Sequence, residues 1–243
     1  MEETRNTIAL VLNRQSYREN DSLVVVYTEK FGKLSLIARG TKKLQSKLAG
    51  HLEPINLIDL MIINGRQRDY VGSALTRKAF LNIKGDLNKI YYAGQIITRF
   101  KRLIKENQVD QELFFLLNNW LEGLDNYQAT FSKETGELFL SSFSLRLLSI
   151  LGYRPEMYYC LDCRQKIKPG HNYFDLQNGG VICEACFGQK ASKAELVSLS
   201  NDCLKLIRFI MTNEANRAGK LRLAKKLVKE LTNLTTNFIN FNN

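Results

Sequence analysis

Four cysteines stand as two Cys-x-x-Cys pairs, Cys160/Cys163 and Cys183/Cys186, with nineteen residues between the pairs. Two residues between cysteines let both sulfurs of a tight turn face one point. Two such turns supply four thiolates at the corners of a tetrahedron, the arrangement Zn²⁺ takes in structural sites. The intervening stretch reads as a small hairpin. Tyr173-Phe174-Asp175-Leu176 and Val181-Ile182-Cys183 flank Gln177-Asn178-Gly179-Gly180, whose glycines allow the positive φ of a tight turn. A lone pair would suit a redox motif equally well, and two disulfides would use the same four residues. The disulfides are disfavoured because no secretory signal is visible and intracellular thiols stay reduced. Four thiolates close the coordination sphere, so one structural zinc is expected rather than a catalytic one, which keeps an open position.

Two further features bear on that metal. His51-Leu52-Glu53 has the His-x-Glu spacing of zinc deaminases, but Tyr159, not proline, precedes Cys160, and the second cysteine pair completes the ligand set without His51. His51 is therefore expected to be a loop or packing residue. The fifth cysteine, Cys203, belongs to the helical series Leu199, Cys203, Leu206, Ile210 and reads as a small core hydrophobe.

The chain has no apolar run near the ~18 residues of a membrane span, and Met1-Glu2-Glu3-Thr4-Arg5 lacks the apolar core of a signal peptide. A soluble, cytoplasmic protein with no membrane partner is expected. Its net charge of +11 is unevenly spread. Residues 1–85 hold 14 Lys/Arg against 8 Asp/Glu, residues 86–159 hold 8 against 9, residues 160–186 hold 3 against 3, and residues 187–243 hold 10 against 4. Positive charge concentrated at two ends points to a polyanion, and nucleic acid is the expected one.

Hydropathy patterning divides the chain into an α+β, multi-domain arrangement. β-prone runs occupy residues 7–12, 23–28, 34–38, 56–63 and 70–76, with Asn64-Gly65 a strong hairpin signal. Five short strands with one long connection, 40–54, suggest an OB-type Greek-key barrel, an SH3-like barrel being the near alternative. Arg39, Lys42, Lys43 and Lys47 crowd the exit of the third strand and the long connection. Arg14 and Arg18 are expected in the first hairpin loop, and Arg66 and Arg68 at the tip after Asn64-Gly65. If these loops converge at the barrel mouth, they form a cationic track for phosphates. From about Asp86 the period becomes helical, over 91–104, 112–124, 137–151 (closed by Gly152 as C-cap), 198–211 and 221–241. The third of these is apolar over most of its circumference and should be central in a bundle. The expected domains are an OB-fold at 1–85, a first helical part at 86–159, a four-cysteine zinc module at 160–187 and a C-terminal helical part at 188–243.

No Walker-type phosphate loop occurs, and with only His51 and His171 no nucleophile-base set presents itself. A non-enzymatic binding protein is expected. The alternative is a zinc-ribbon and barrel protein associated with RNA or transcription, since nothing in the residues reports the 2′-OH.

Short pieces, in order and spacing, resemble the RecO recombination-mediator family of bacterial DNA repair. They are Tyr17-Arg18-Glu19-Asn20-Asp21-Ser22-Leu23, Gly32-Lys33-Leu34, Ala38-Arg39-Gly40-Thr41-Lys42-Lys43, Lys47-Leu48-Ala49-Gly50-His51-Leu52-Glu53-Pro54, Leu148-Ser149-Ile150-Leu151-Gly152-Tyr153-Arg154-Pro155, and Gly179-Gly180-Val181-Ile182-Cys183. The resemblance implies an N-terminal OB-fold, a helical domain and a zinc module. It implies binding of single- and double-stranded DNA, annealing of complementary strands, and engagement of the acidic C-terminal tail of single-strand-binding protein. With RecR, and sometimes RecF, such a protein helps to place RecA on coated strands, in the bacterial nucleoid. Arg39, Lys42, Lys43 and Lys47 match the family's basic stretch. Arg14, Arg66 and Arg68 rest on charge and position alone. The family can show a basic pair ahead of the phenylalanine of its long helix; this chain has Ser141-Ser142 before Phe143, so no tail-binding residues are carried over.

Overall fold

The computed structural model describes residues 4–212, 221 and 223–241. By compactness the chain falls into two units, Met1–Asn126 and Tyr127–Asn243.

The first unit starts with five strands: β1 (Thr4–Tyr17), β2 (Asp21–Thr28), β3 (Gly32–Ala38), β4 (Leu57–Ile63) and β5 (Tyr70–Lys78). They close in the order β1-β2-β3-β5-β4, with β4 pairing back onto β1. The β3–β5 junction is parallel and limited to Ile37 opposite Tyr70. This order is that of the five-stranded OB-type Greek-key barrel, so the SH3-like alternative falls away. Strand β1 serves two partners: residues 4–10 pair with β4 and residues 9–17 with β2, with an irregularity between Val11 and Asn13 that bends the strand from one to the other. Alternation fills the interior. Ala9, Val11, Val24, Val26, Leu34, Leu36, Ile58, Leu60 and Ile62 point inward, and Leu52 from the long connection completes the core.

Helices α1 (Leu81–Lys84), α2 (Leu87–Leu103) and α3 (Gln111–Asp125) belong to this same unit. Asp86 and Asp110 cap α2 and α3 by accepting from the N–H groups of Lys89 and Leu113. The α2–α3 connection lies on the outer face of β2 and β3. The Tyr27 hydroxyl donates to the carbonyls of Gln108 and Asp110, both at 3.2 Å, and its ring meets Phe100 edge-on. The Lys33 ammonium donates to the carbonyls of Lys101 and Ile104 at the end of α2. Gly32, at φ +68°, sits where a Cβ would be 2.2 Å from the Gln108 oxygen, so only glycine allows this approach. The change to helix near residue 85 is thus not where compactness divides the chain. A barrel cut there would uncover Tyr27 and Lys33.

In the second unit α4 (Lys133–Ile150), α6 (Asn201–Thr212) and α7 (Lys225–Phe241) pack on one another. Ser132 caps α4, accepting from Thr135 at 3.2 Å. Its far end closes as expected: Gly152 takes φ +91°, Gly152 N–H donates to Ser149 O, and Tyr153 N–H donates to Leu148 O. Ser141 and Ser142 are buried in this core, Ser141 against Thr235 at 3.2 Å. The hairpin β6 (Asn172–Asp175) and β7 (Gly180–Cys183) forms where expected. It gains a third strand that the sequence reading missed, β8 (Leu196–Leu199), in the order β7-β6-β8. Ser198 is in that strand, and Ser200 is the cap of α6, accepting from Cys203 N–H at 3.2 Å. A short α5 (Glu184–Gln189) follows β7. Phe174 of β6 meets Phe238 of α7 edge-on at 5.2 Å, so the cysteine segment is docked on the helices.

Candidate metal centre and nucleic-acid interface

The four sulfurs of Cys160, Cys163, Cys183 and Cys186 all lie within 4.8 Å of one another, and they form the only such cluster found among the described residues. The separation of Cys163 and Cys183 Sγ is 3.9 Å. Each pair is held by its own backbone device. In the first, Arg164 adopts φ +60°, its N–H donates to Cys160 O at 3.0 Å, and Cys160 N–H donates to Gln165 O at 2.9 Å. In the second, Cys183 stands at the start of α5, and Cys186 lies within its first turn. No disulfide joins any of the five cysteines.

The electrostatics suit a cation. Burial pushes the Cys160 thiol up, but N–H donors from Cys183, Cys163 and Asp162 outweigh it and bring the pKa down to about 7. Cys186 moves the other way, to about 12, through hydrogen bonding with the Cys183 thiol and then burial. Four sulfurs this close cannot all ionise unless a cation offsets their repulsion. With no histidine or carboxylate in the cluster, the donor set can hold a metal ion in a closed, all-sulfur shell. His51 is elsewhere occupied: its Nδ1 accepts from Thr76 N–H at 3.1 Å and lies 2.9 Å from the Thr76 hydroxyl. Cys203 is fully buried, its thiol pushed up to about 12 by that burial and by Glu230.

At the barrel, three loops meet at one mouth. The β1–β2 turn is only residues 18–20. Lys42 N–H donates to Asn20 O at 3.1 Å, and Lys42 Nζ donates to Arg18 O at 2.9 Å. Gly40 N–H donates to Asp21 Oδ1 at 2.9 Å. Ile37 N–H donates to Asp69 O in the β4–β5 loop, and the Arg39 guanidinium lies 4.2 Å over the Tyr70 ring. Arg18, Arg39, Lys42 and Lys43 are thereby gathered beside the loop carrying Arg66 and Arg68, and all six side chains are exposed. Lys47 is exposed farther along the long connection, next to Leu48, which packs on the barrel core.

Arg14 requires a correction of place. It is not in the first hairpin loop but inside β1, opposite Val24, because the strand continues past its bulge to Tyr17. Its guanidinium donates to Ala49 O and pairs with Glu53 at 2.7 Å. The basic C-terminal positions Lys220 and Arg222 lie outside the described residues. No helix among the described residues is long and apolar enough to cross a membrane.

The comparisons with known proteins agree over nearly the whole chain. The family model "Recombination protein O N terminal" matches residues 1–80, and "Recombination protein O C terminal" matches residues 84–242. The chain is 28% identical over 225 residues to "DNA repair protein RecO" of Dehalococcoides mccartyi strain 195, covering 93% of this chain and 85% of that one. It is 30% identical over 221 residues to the protein of that name in Roseiflexus sp. strain RS-1, with 90% and 74% covered. To that of Alkaliphilus metalliredigens it is 25% identical over 233 residues, with 96% and 91% covered.

Proposed function

The chain belongs to the RecO family, and from that membership we propose that it is a non-enzymatic DNA-binding mediator of recombination. A role in DNA repair and recombination comes with the family. Beyond that, the reading is that it binds single- and double-stranded DNA and anneals complementary strands. With RecR and RecF it helps to load RecA on strands coated by single-strand-binding protein. The observation that carries it is the convergence of Arg18, Arg39, Lys42 and Lys43 with the Arg66/Arg68 loop at one barrel mouth. Phosphate repulsion is what keeps two strands apart, and a preformed cationic surface offsets it without any covalent step. The outer face of β2 and β3, the other surface with which OB barrels hold oligonucleotides, is covered at its Tyr27–Lys33 end by residues 104–110, which favours the mouth.

The metal of this reading is one structural Zn²⁺ held by Cys160, Cys163, Cys183 and Cys186. A tetrahedral ion with bonds of about 2.3 Å to sulfur needs sulfurs about 3.8 Å apart. The 3.9 Å separation of Cys163 and Cys183 meets that requirement. Bound there, the ion supplies folding free energy and no reaction. The acidic tail of single-strand-binding protein would be taken by the second unit, where Lys226 and Lys229 of α7 stand exposed and Lys225 pairs with Glu134. Ser141 and Ser142 take no part, being buried.

The test is annealing by the full chain of complementary strands coated with single-strand-binding protein, with and without that protein's acidic tail. Acceleration that weakens without the tail supports the reading; no acceleration on bare or coated strands would refute it. Competition between DNA and RNA single strands of one sequence separates it from the RNA-binding alternative.

A further inference from the structure

The segment between Tyr158 and Lys168 folds back on itself around the first cysteine pair. Ile167 N–H donates to Tyr158 O at 2.8 Å, Cys160 N–H donates to Gln165 O at 2.9 Å, and Tyr159 stands directly opposite Lys166 in an antiparallel bridge. Directly opposed residues of such a pair carry their side chains on the same face. Lys168 follows Lys166 by two residues, with buried Ile167 between the two exposed lysines. Arg164 is exposed at the turn, held there by its left-handed backbone. The result is a tyrosine ring, half exposed at 50%, opposite Lys166 on a hydrogen-bonded turn whose other exposed cations are Arg164 and Lys168.

Over 160–186 the acids Asp162, Asp175 and Glu184 balance Arg164, Lys166 and Lys168 in number; Glu184 is exposed on α5, but the other two, and Glu156 just before the segment, are engaged. Glu156 Oε1 accepts from the N–H groups of Tyr158 and Tyr159 at 2.7 and 3.1 Å. Asp162 pairs with Lys190 at 3.3 Å. Asp175 is buried, accepting from the N–H groups of Gln177 and Asn178 in the hairpin turn. Arg164, Lys166 and Lys168 make no ion pair among the described residues.

We infer that this knuckle is a second binding surface for single-stranded DNA, with a base stacked on Tyr159 and phosphates paired with Lys166, Lys168 and Arg164. An aromatic platform beside a short cationic track is what sequence-tolerant strand binding requires. Because the barrel mouth is in the other compact unit, the chain then has one strand surface in each unit. Annealing needs two strands neutralised together. The inference rests on the DNA-binding reading above.

The experiment uses the full chain and 5-iododeoxyuridine-substituted strands. Ultraviolet crosslinking followed by peptide mapping should place the adduct at Tyr159, alongside any at the barrel mouth. In parallel, annealing of bare complementary strands is measured for Tyr159→Leu, Tyr159→Trp and Lys166→Gln/Lys168→Gln, with metal content checked for each. Loss of one stacked base is worth about 5- to 150-fold, so Tyr159→Leu should slow annealing by about tenfold while Tyr159→Trp retains it. Wild-type annealing with an equal rate in Tyr159→Leu and no adduct at Tyr159 would overturn the inference and leave the barrel reading standing. No annealing by the wild type would remove the reading beneath it as well. If the lysine variant loses metal while the Tyr159 variants behave as wild type, these cations only offset the thiolate charge, and the inference fails. Capture of an acidic peptide without strand crosslinking also overturns it.

Discussion

Replacing Lys42 and Lys43 together by glutamine tests the barrel mouth with the least structural disturbance. Both side chains are exposed, and the one contact removed is the solvent-facing bond from Lys42 Nζ to Arg18 O. The mouth gathers six cations: Arg18, Arg39, Lys42, Lys43, Arg66 and Arg68. If each neutralises one phosphate of a single strand, log affinity falls with log salt at a slope of about −4, since each contact contributes about −0.7. Between about 50 and 200 mM salt the wild type then loses roughly 300-fold in affinity. With four cations left the slope falls to about −3, and the loss over the same range shrinks to roughly 50-fold. Fluorescence anisotropy of labelled homopolymer and mixed-sequence strands, titrated at several salt concentrations, measures both slopes. The weakening should be the same for every sequence, because phosphates carry no sequence information. A double variant with the wild-type slope would refute the assignment of DNA to this mouth, whatever happened to its absolute affinity.

Three other outcomes follow from the same structure. Cys183→Ser should abolish stoichiometric metal binding and lower the thermal midpoint, yet leave the salt slope of strand binding at the barrel unchanged; full stability after complete metal removal would contradict a structural centre. Lys33→Met removes two bonds from an ammonium to the last carbonyls of α2 and should cost about 1–3 kcal/mol by chemical denaturation. Burial holds the Lys33 ammonium below its ordinary 10.5, with Glu106 opposing and Lys101 adding to the shift. The unfolded chain therefore keeps a proton that the folded one releases, and wild-type stability should rise relative to Lys33→Met as pH climbs from the lowered value toward 10.5. A gap that narrows over that range would contradict the shift. Ser142 Oγ is buried with no hydrogen-bond partner among the described residues, so Ser142→Ala should be neutral or stabilise by about 1 kcal/mol in the same denaturation assay; a clear loss would mean the hydroxyl has a partner.

Local rules were enough for much of this molecule. The cysteine pairs were legible because ligand geometry is encoded in two-residue spacing, and the hairpin between them because Gly179 marks its turn at φ +64°. The five strands were legible because inward residues alternate, and the end of α4 because Gly152 alone suits its left-handed closure. The family resemblance followed from short pieces kept in order. What only the tertiary structure decided depends on contacts between residues distant in sequence. The pairing of β4 back onto β1 identified the barrel type. Helices α2 and α3 belong with the barrel because Tyr27 and Lys33, outward-facing on their strands, are covered by carbonyls seventy or more residues later, and alternation alone cannot signal such a cover. Arg14 read as a loop cation until the bulge extended β1 and brought Glu53 to it. The knuckle's surface was hidden for a related reason. Charge counted along a chain weighs every carboxylate equally, whereas the fold commits Glu156, Asp162 and Asp175 to N–H groups and Lys190, leaving Glu184 as the one exposed carboxylate of 160–186 that no ion pair engages among the described residues, against Arg164, Lys166 and Lys168 facing water.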